Sequence, residues 1–293
     1  MSSRQNALSL NFAKSTRLPR LGARSILSLA LLAGAAHPAA LRAADATESR
    51  FEKAYELTGV TKLRVQNVNG PVHLESWDRN YLRVVAVKKV KGGRSEQTLR
   101  DTEIRVTKDG PTITVETVLP KRGRGLEWLF SHGDHGAEVS YDLLMPAALA
   151  ADIETVNGRV TAERHTGALN LNTVNGTVHV ENHDGPVKVN TVNGSVEVLF
   201  AGALRPAELE TVNGSVIVGC TKDSSIRYEL QTVNGRIQSD FANLTVEGKW
   251  GPKEARGSLN GGRDRLAIET VNGEVRLRLT EPAVALKGLG PRP

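Results

Sequence analysis

A few stretches of this 293-residue chain carry residue types at spacings that could do chemistry. His132-Gly-Asp-His135 sets three metal-binding side chains within four residues. Zinc and calcium sites need three or four protein ligands held convergent by rigid elements. These three stand in a glycine-rich run with no evident fourth partner, so a solvated loop is expected, with no metal and no cofactor. His179 and His183 are four residues apart, which on a strand turns both to one face. Because His183 falls past the expected strand end, a surface pair is the simpler reading. Glycoside hydrolysis needs two carboxylates facing each other across a cleft. Glu154, Glu210 and Glu269 instead recur along one line, where Asn172, Asn190 and Gln231 alternate with them and spare them like-charge stacking. A solvated polar ribbon or an extended binding face follows. No Gly-x-Ser-x-Gly elbow is present, and no catalytic residue is assigned.

Two further features complete the chemical inventory. Lys121, Arg122 and Arg124 precede Trp128 and Phe130 in an otherwise aromatic-poor chain. Such a cluster can touch anionic lipid or an acidic polymer, or fold back to cover a core. It is the candidate binding loop. Cys220, the one cysteine, closes the alternating run Val216-Ile-Val-Gly-Cys220 and reads as a buried small apolar side chain. With one cysteine there is no internal disulfide, so packing and hydrogen bonds must hold the chain together.

The elements that would position these groups come from a repeat. Thr155-Val-Asn-Gly158 returns with glycines at 176, 194, 214, 235 and 273, and Asn67-Val-Asn-Gly70 opens the series. The steps are 18, 18, 20, 21 and 38 residues, the last about two periods, and fixed periods of this size mark repeat architectures. Counting from each Asn, Ile153, Leu171, Val189, Leu209, Leu230 and Ile268 stand four before it. Val160, Val178, Val196, Val216, Ile237 and Val275 stand three after, and Ala162, Val180, Val198, Val218, Ser239 and Leu277 five after. Period-two alternation on both sides of Asn-Gly reads as strand, corner, strand, with these residues inward.

Two architectures satisfy that pattern. Each Asn-Gly could close an antiparallel hairpin, or each unit could stack on its neighbour as a coil of a parallel β-solenoid. Hairpins place no demand on the residues before Asn-Gly, whereas a solenoid stacks equivalent residues. Stacked asparagines form amide ladders and stacked Thr and Val pack on their like. The solenoid is therefore the favoured fold: all-β, with single-stranded coils of 18–21 residues. The proposed structural ladder comprises Asn69, Asn157, Asn175, Asn193, Asn213, Asn234 and Asn272. The stretch from Phe241 to Gly261 reads as a degenerate coil carrying an insertion.

The net charge of +6 would invite a nucleic-acid reading. Its location removes that reading. Residues 1–46 hold six basic residues against Asp45, and the remaining 32 basic and 31 acidic residues nearly cancel. The basic leader, the apolar run Ser25–Ala36 and the small-x-small site Ala44-Asp-Ala46 form a secretory signal pattern. A run of 12 is too short to span a bilayer. The domain reading is a signal peptide over 1–46, an irregular β-rich part over 47–146 with a long loop at 120–137, regular repeats over 147–280 and a flexible tail over 281–293.

The lead-in with Asn67-Val-Asn-Gly-Pro-Val72 and Trp77-Asp78, the strand Val139-Ser-Tyr-Asp-Leu-Leu-Met-Pro146 and the tandem Thr-Val-Asn-Gly units resemble the bacterial putative-adhesin domain family. They are also similar to the related head-domain family of exported β-solenoids. The resemblance covers roughly 55–280 and implies envelope or surface association with no defined catalytic residues. The expectation is a non-enzymatic exported protein, periplasmic or at the cell surface, contacting envelope polysaccharide or a surface protein. Nucleic acid is not an expected partner, and membrane contact would not involve a span after signal cleavage. Two other readings stay open: a polysaccharide-active β-helix enzyme, and an envelope signalling or stress component with a membrane partner.

Overall fold

The structure, a computed structural model, describes residues 48–90, 96–119, 137–242, 244–248 and 251–283. The proposed signal peptide, the loop over 120–136 and the tail from 284 lie outside the described residues. The N-terminal elements are strands Glu48–Glu56 (β1), Lys62–Gln66 (β2), Val72–Trp77 (β3) and Tyr81–Lys89 (β4), the helix Glu96–Asp101 (α1), and strands Glu103–Asp109 (β5), Thr112–Val118 (β6) and Glu138–Pro146 (β7). The repeats contribute Ala150–Glu154 (β8), Val160–Glu163 (β9), Leu169–Asn172 (β10), Val178–His183 (β11), Val187–Asn193 (β12), Val196–Phe200 (β13), Ala207–Asn213 (β14) and Val216–Cys220 (β15). The C-terminal strands are Ile226–Thr232 (β16), Ile237–Ser239 (β17), Lys253–Leu259 (β18), Asp264–Asn272 (β19) and Val275–Leu279 (β20).

These strands form two ten-stranded sheets. One runs β1-β4-β7-β3-β9-β11-β13-β15-β20-β17 and the other β18-β16-β19-β14-β12-β10-β8-β2-β6-β5. In every repeat the strand before Asn-Gly belongs to the second sheet and the strand after it to the first. The motif is thus a corner between sheets. A hairpin would pair β8 with β9. Instead β10 lies parallel between β8 and β12, and β11 lies parallel between β9 and β13. Parallel pairing brings equivalent residues side by side, Ile153 beside Leu171 beside Val189.

Ile153, Leu171, Val189, Leu209 and Leu230 from one sheet meet Val160, Val178, Val196 and Val216 from the other, all essentially inaccessible to solvent. They belong to one continuous core. The threonine of the motif is buried at every repeat. In four repeats, those of Thr191, Thr211, Thr232 and Thr270, its hydroxyl reaches the corner of the neighbouring unit, Thr211 Oγ1 donating to the Gly194 carbonyl and Thr270 Oγ1 to the Gly214 carbonyl, both at 2.9 Å. That satisfies a carbonyl at the corner which no ladder strand would otherwise reach. The hydroxyls of Thr155 and Thr173 are instead buried without a partner.

The residues before 147 do not stand apart from the repeats. β2 pairs in parallel with β8, and β3 with β9, so residues 62–77 make the first unit of the same stack. Its Asn67 occupies the threonine position, buried, and donates to the carbonyls of Gly70 at 3.0 Å and Val139 at 2.9 Å. β5 and β6 form an antiparallel hairpin about Asp109-Gly110. The antiparallel strands β1 and β4 extend the first sheet beyond β7. The helix α1 had no signal in the hydrophobic period. It buries only Leu99, against Val90 and Ala137.

Two expectations are corrected. Phe241 to Gly261 is not a degenerate coil within the stack. β18 runs antiparallel to β16 and forms the edge of the second sheet. The last repeat also does not lie last. β19 sits between β14 and β16, and β20 between β15 and β17. Of the inward positions, Ser239 is only half-buried, as befits a hydroxyl on the edge strand β17.

Candidate functional site

The corner is the most regular surface of the molecule. Asn157, Asn175, Asn193 and Asn213 donate through Nδ2 to Oδ1 of Asn69, Asn157, Asn175 and Asn193, at 2.8, 2.8, 2.9 and 2.8 Å. Asn272 then donates to Asn213 at 2.7 Å and Asn234 to Asn272 at 2.9 Å. The spatial order is 69, 157, 175, 193, 213, 272, 234. Each interior amide donates once and accepts once. The backbone is drawn equally close: a Cβ on Gly194 would lie 2.0 Å from the Gly176 carbonyl oxygen. Glycine is required there by this approach between units and not by a left-handed φ.

Beside the ladder runs the expected column of stacked motif valines, whose exposure was not expected. Val156, Val174, Val192, Val212 and Val233 are 37–42% exposed, while Val271 is half-buried. In a soluble domain single exposed valines are ordinary, but five of six in stacked units make a continuous apolar ridge. Alternation itself was the missed signal, since the valine follows a buried threonine and must face outward.

Two residues earlier on each strand lies the polar ribbon. Its spatial order is Gln66, Glu154, Asn172, Asn190, Glu210, Glu269, Gln231 and Glu254. The alternation expected to keep acids apart therefore fails at one place. Because β19 docks on β14, Glu210 and Glu269 are direct neighbours. Elsewhere amides bridge, with Gln66 Nε2 donating to Glu154 at 3.1 Å and Asn190 Nδ2 to Asn172 at 2.9 Å. Past Gln231 a cavity of about 240 Å³ opens, lined by Glu247, Lys253, Glu254 and Glu269 among others. Lys253 Nζ donates to the Gly235 carbonyl at 2.7 Å.

The two histidines expected as a surface pair part company. His179 stays on the outer face, 3.1 Å from the Glu197 carboxylate. His183 is fully buried, because Asn182 adopts a left-handed φ of 54° and the register shifts between Glu181 and His183. It stacks on His165, with ring centroids 5.9 Å apart and planes within 4°. Ser76 Oγ lies 3.0 Å from His165 Nδ1, and His183 Nδ1 donates to the His165 carbonyl at 2.8 Å. Burial, aided by the neighbouring ring, pushes His165 down to about 4, and burial also lowers His183. Both are neutral core residues. The spacing of 18 between them equals the repeat and could have placed them in one column.

Burial raises the Cys220 thiol, and the residue lies in the core. Lys121, Arg122, Arg124, Trp128, Phe130 and the His132–His135 run lie outside the described residues. Among the described residues no group of three His, Cys, Asp or Glu is disposed to hold a metal ion, and no helix is long and apolar enough to cross a membrane.

Comparison with known proteins bears on the fold. The Toastrack DUF4097 profile matches residues 58–278. No curated protein matches the chain in sequence. Among solved structures, a putative cell adhesion protein from Clostridium sporogenes is 14% identical with a TM-score of 0.46, over 80% of this chain and 100% of that one. A putative adhesin from Bacteroides fragilis is 11% identical with a TM-score of 0.41, over 78% and 97%. A putative lipid binding protein from Parabacteroides distasonis is 9% identical with a TM-score of 0.31, over 79% and 97%.

Proposed function

Because the chain belongs to the Toastrack DUF4097 family, we propose that it is a non-enzymatic, exported, adhesin-like β-solenoid with coils of 18–21 residues. It holds an extended polar surface toward envelope polysaccharide or a surface protein. The observation that carries this reading is the ribbon from Gln66 to Glu254, in which carboxylates and amides recur from strand to strand on a sheet that is parallel from β2 to β16 and ends in the antiparallel β18. Such a row offers acceptors and donors at the strand spacing of about 4.8 Å, and a polymer bearing many hydroxyls can engage several at once, so weak contacts add through multivalency. The leader over 1–46 is read as a cleaved signal, the tail over 281–293 as a flexible end, and the loop at 120–137 as an accessory contact.

The test is retention on fractionated envelope polysaccharides and proteins. Wild type is compared with Asn172→Lys/Asn190→Lys, which reverses the ribbon's chemistry, and with a deletion of 121–136. Binding lost in the first variant supports the ribbon, and binding lost only in the second moves the site to the loop. Retention of no form by any fraction ends the reading. N-terminal sequencing of exported protein should begin after Ala46.

A polysaccharide-active enzyme has one observation in its favour, the gathering of Glu247, Glu254 and Glu269 with Lys253 around the terminal cavity. New chain ends released from purified polysaccharide, and abolished by Glu254→Gln or Glu269→Gln, would put that reading first.

A further inference from the structure

We propose that the valine ridge and the polar ribbon together form a self-recognition surface, on which a second copy of this chain packs antiparallel about a two-fold axis between the Asn190 and Glu210 rungs, so that dimer formation and an envelope ligand on the ribbon exclude each other. The ridge and ribbon are neighbouring columns on one sheet face: Asn190 and Val192 point outward from the same strand, with Thr191 buried between them. A two-fold axis lying in that face and perpendicular to the stack brings each column against itself in reverse order, which is an isologous contact. Val192 then meets the partner's Val212, Val174 meets Val271 and Val156 meets Val233, so the exposed ridge is buried along its whole length.

The ribbon sets the register. Read in spatial order it is Gln66, Glu154, Asn172, Asn190, then Glu210, Glu269, Gln231, Glu254, with Glu116 and Arg105, an ion pair at 3.1 Å, beyond Gln66. Folding the row between Asn190 and Glu210 places Asn190 against Glu210, Asn172 against Glu269, Glu154 against Gln231 and Gln66 against Glu254, and leaves the Glu116–Arg105 pair past the partner's edge. Every carboxylate faces an amide, which can donate to it. Moving the axis half a rung in either direction opposes Glu154 to Glu269 or Glu210 to itself. A whole rung opposes Glu154 to Glu210 or Glu210 to Glu269. Like charges directly opposite across such a contact are destabilising, which disfavours each of these neighbouring registers. It also gives a use to the adjacent acids Glu210 and Glu269, which are unfavourable neighbours within a single chain.

The next column outward is mixed. It sets Lys188 against Glu208. Its two like-charge rungs, Arg64 against Arg256 and Asp152 against Glu229, lie side by side and each charge is already paired in its own chain. Asp152 holds Lys62 at 2.9 Å and Arg64 at 3.4 Å, and Glu229 holds Arg256 at 2.9 Å. Three columns about 6.6 Å apart over eight rungs of about 4.8 Å cover roughly 700 Å². A stable protein–protein contact buries about 800 Å² per partner. The surface is therefore toward the lower end of what a stable dimer buries.

The experiment is sedimentation and light scattering of the full exported chain over a concentration series, with three variants. Wild type should be a concentration-dependent dimer. Asn172→Asp places a carboxylate opposite the partner's Glu269 and should raise the dimer dissociation constant about tenfold, while Glu269→Gln should leave it near wild type. The double variant Asn172→Asp/Glu269→Gln should recover the dimer. The two positions are three rungs apart within a chain, about 14 Å, so rescue must act between copies. A wild type that is monomeric at its highest soluble concentration overturns the proposal, as does a double variant no better than Asn172→Asp. Independently, Val174→Cys protein mixed with Val271→Cys protein should form a cross-linked dimer under mild oxidation, Cys220 being buried. Cross-linking of Val174→Cys with itself as readily as in the mixture would refute the antiparallel register.

Discussion

Asn272 donates its side-chain amide to Asn213 at 2.7 Å although 59 residues separate them, while Asn234, only 21 residues after Asn213, takes its place beyond Asn272. The last repeat has entered the stack ahead of the one before it. β16 consequently touches β19 on one side and β18 on the other, and never β14. Removing residues from Arg263 onward should therefore detach β16–β18 from the rest. Hydrogen exchange would then show amides of 226–259 losing protection while those of β8–β15 keep theirs. Persistent protection of β16 would mean that it docks on β14 directly and that sequence order suffices.

This interchange marks the limit of what the sequence makes legible. The corners, the buried columns Ile153–Ile268 and Val160–Val275 and the outward ribbon all follow from alternation, because burial acts residue by residue. Which unit lies beside which does not follow. Thr232-Val-Asn-Gly235 and Thr270-Val-Asn-Gly273 present the same groups to a neighbour, so the local pattern carries no address. The same holds for His183, whose burial turns on the left-handed φ at Asn182, a choice made by the turn and not by the strand's period.

Close approach at the corner predicts a sharp contrast between two glycines. A Cβ on Gly194 would meet the Gly176 carbonyl oxygen at 2.0 Å, whereas one on Gly202 meets nothing within 4 Å. The offending atoms at Gly194 are backbone on both sides, held by the neighbouring corners, and cannot yield without opening the stack. Gly194→Ala should cost about 3 kcal/mol or more, lowering the melting temperature by about 10 °C for a chain of this size. Gly202→Ala should leave it within a degree or two, and calorimetry of both compares them directly.

The amide ladder makes a graded prediction. Asn193 donates to Asn175 at 2.9 Å and accepts from Asn213 at 2.8 Å, so Asn193→Ala removes two hydrogen bonds at an exposed site. Each contributes about 1 kcal/mol net or somewhat less, giving a loss of about 1–2 kcal/mol. Asn234 stands at the end of the column with its one ladder bond to Asn272. Asn234→Ala should cost about half as much. Urea unfolding monitored by circular dichroism resolves the difference, and equal losses would show that the corner backbone, not the amides, holds the units in place.

The stacked histidines set the acid behaviour. His165 titrates near 4 in the folded chain and near 6.5 when unfolded, because burial disfavours its charge. Its folded pKa is depressed, so between these values the unfolded chain binds a proton that the native chain does not, and stability rises with pH. The contribution is complete above about 6.5. It is lost as pH falls from there to about 4, below which this group takes no more. A shift of this size corresponds to about 3 kcal/mol, and His183, lowered by the same burial, adds to it in the same direction. Carboxylates held low by partners, such as Glu52 by Arg50 and Arg83 and Asp223 by Thr221, lose their contribution as pH falls through their unfolded values and below, so they overlap only the acid end of that window and persist in the double variant. Denaturant unfolding at pH 7.5, 5.5 and 4.5 should therefore show a steep loss that flattens in the variant His165→Phe/His183→Phe. The ring volume is largely kept and the titrating nitrogens are gone, so a slope unchanged by that double replacement would place the acid sensitivity elsewhere.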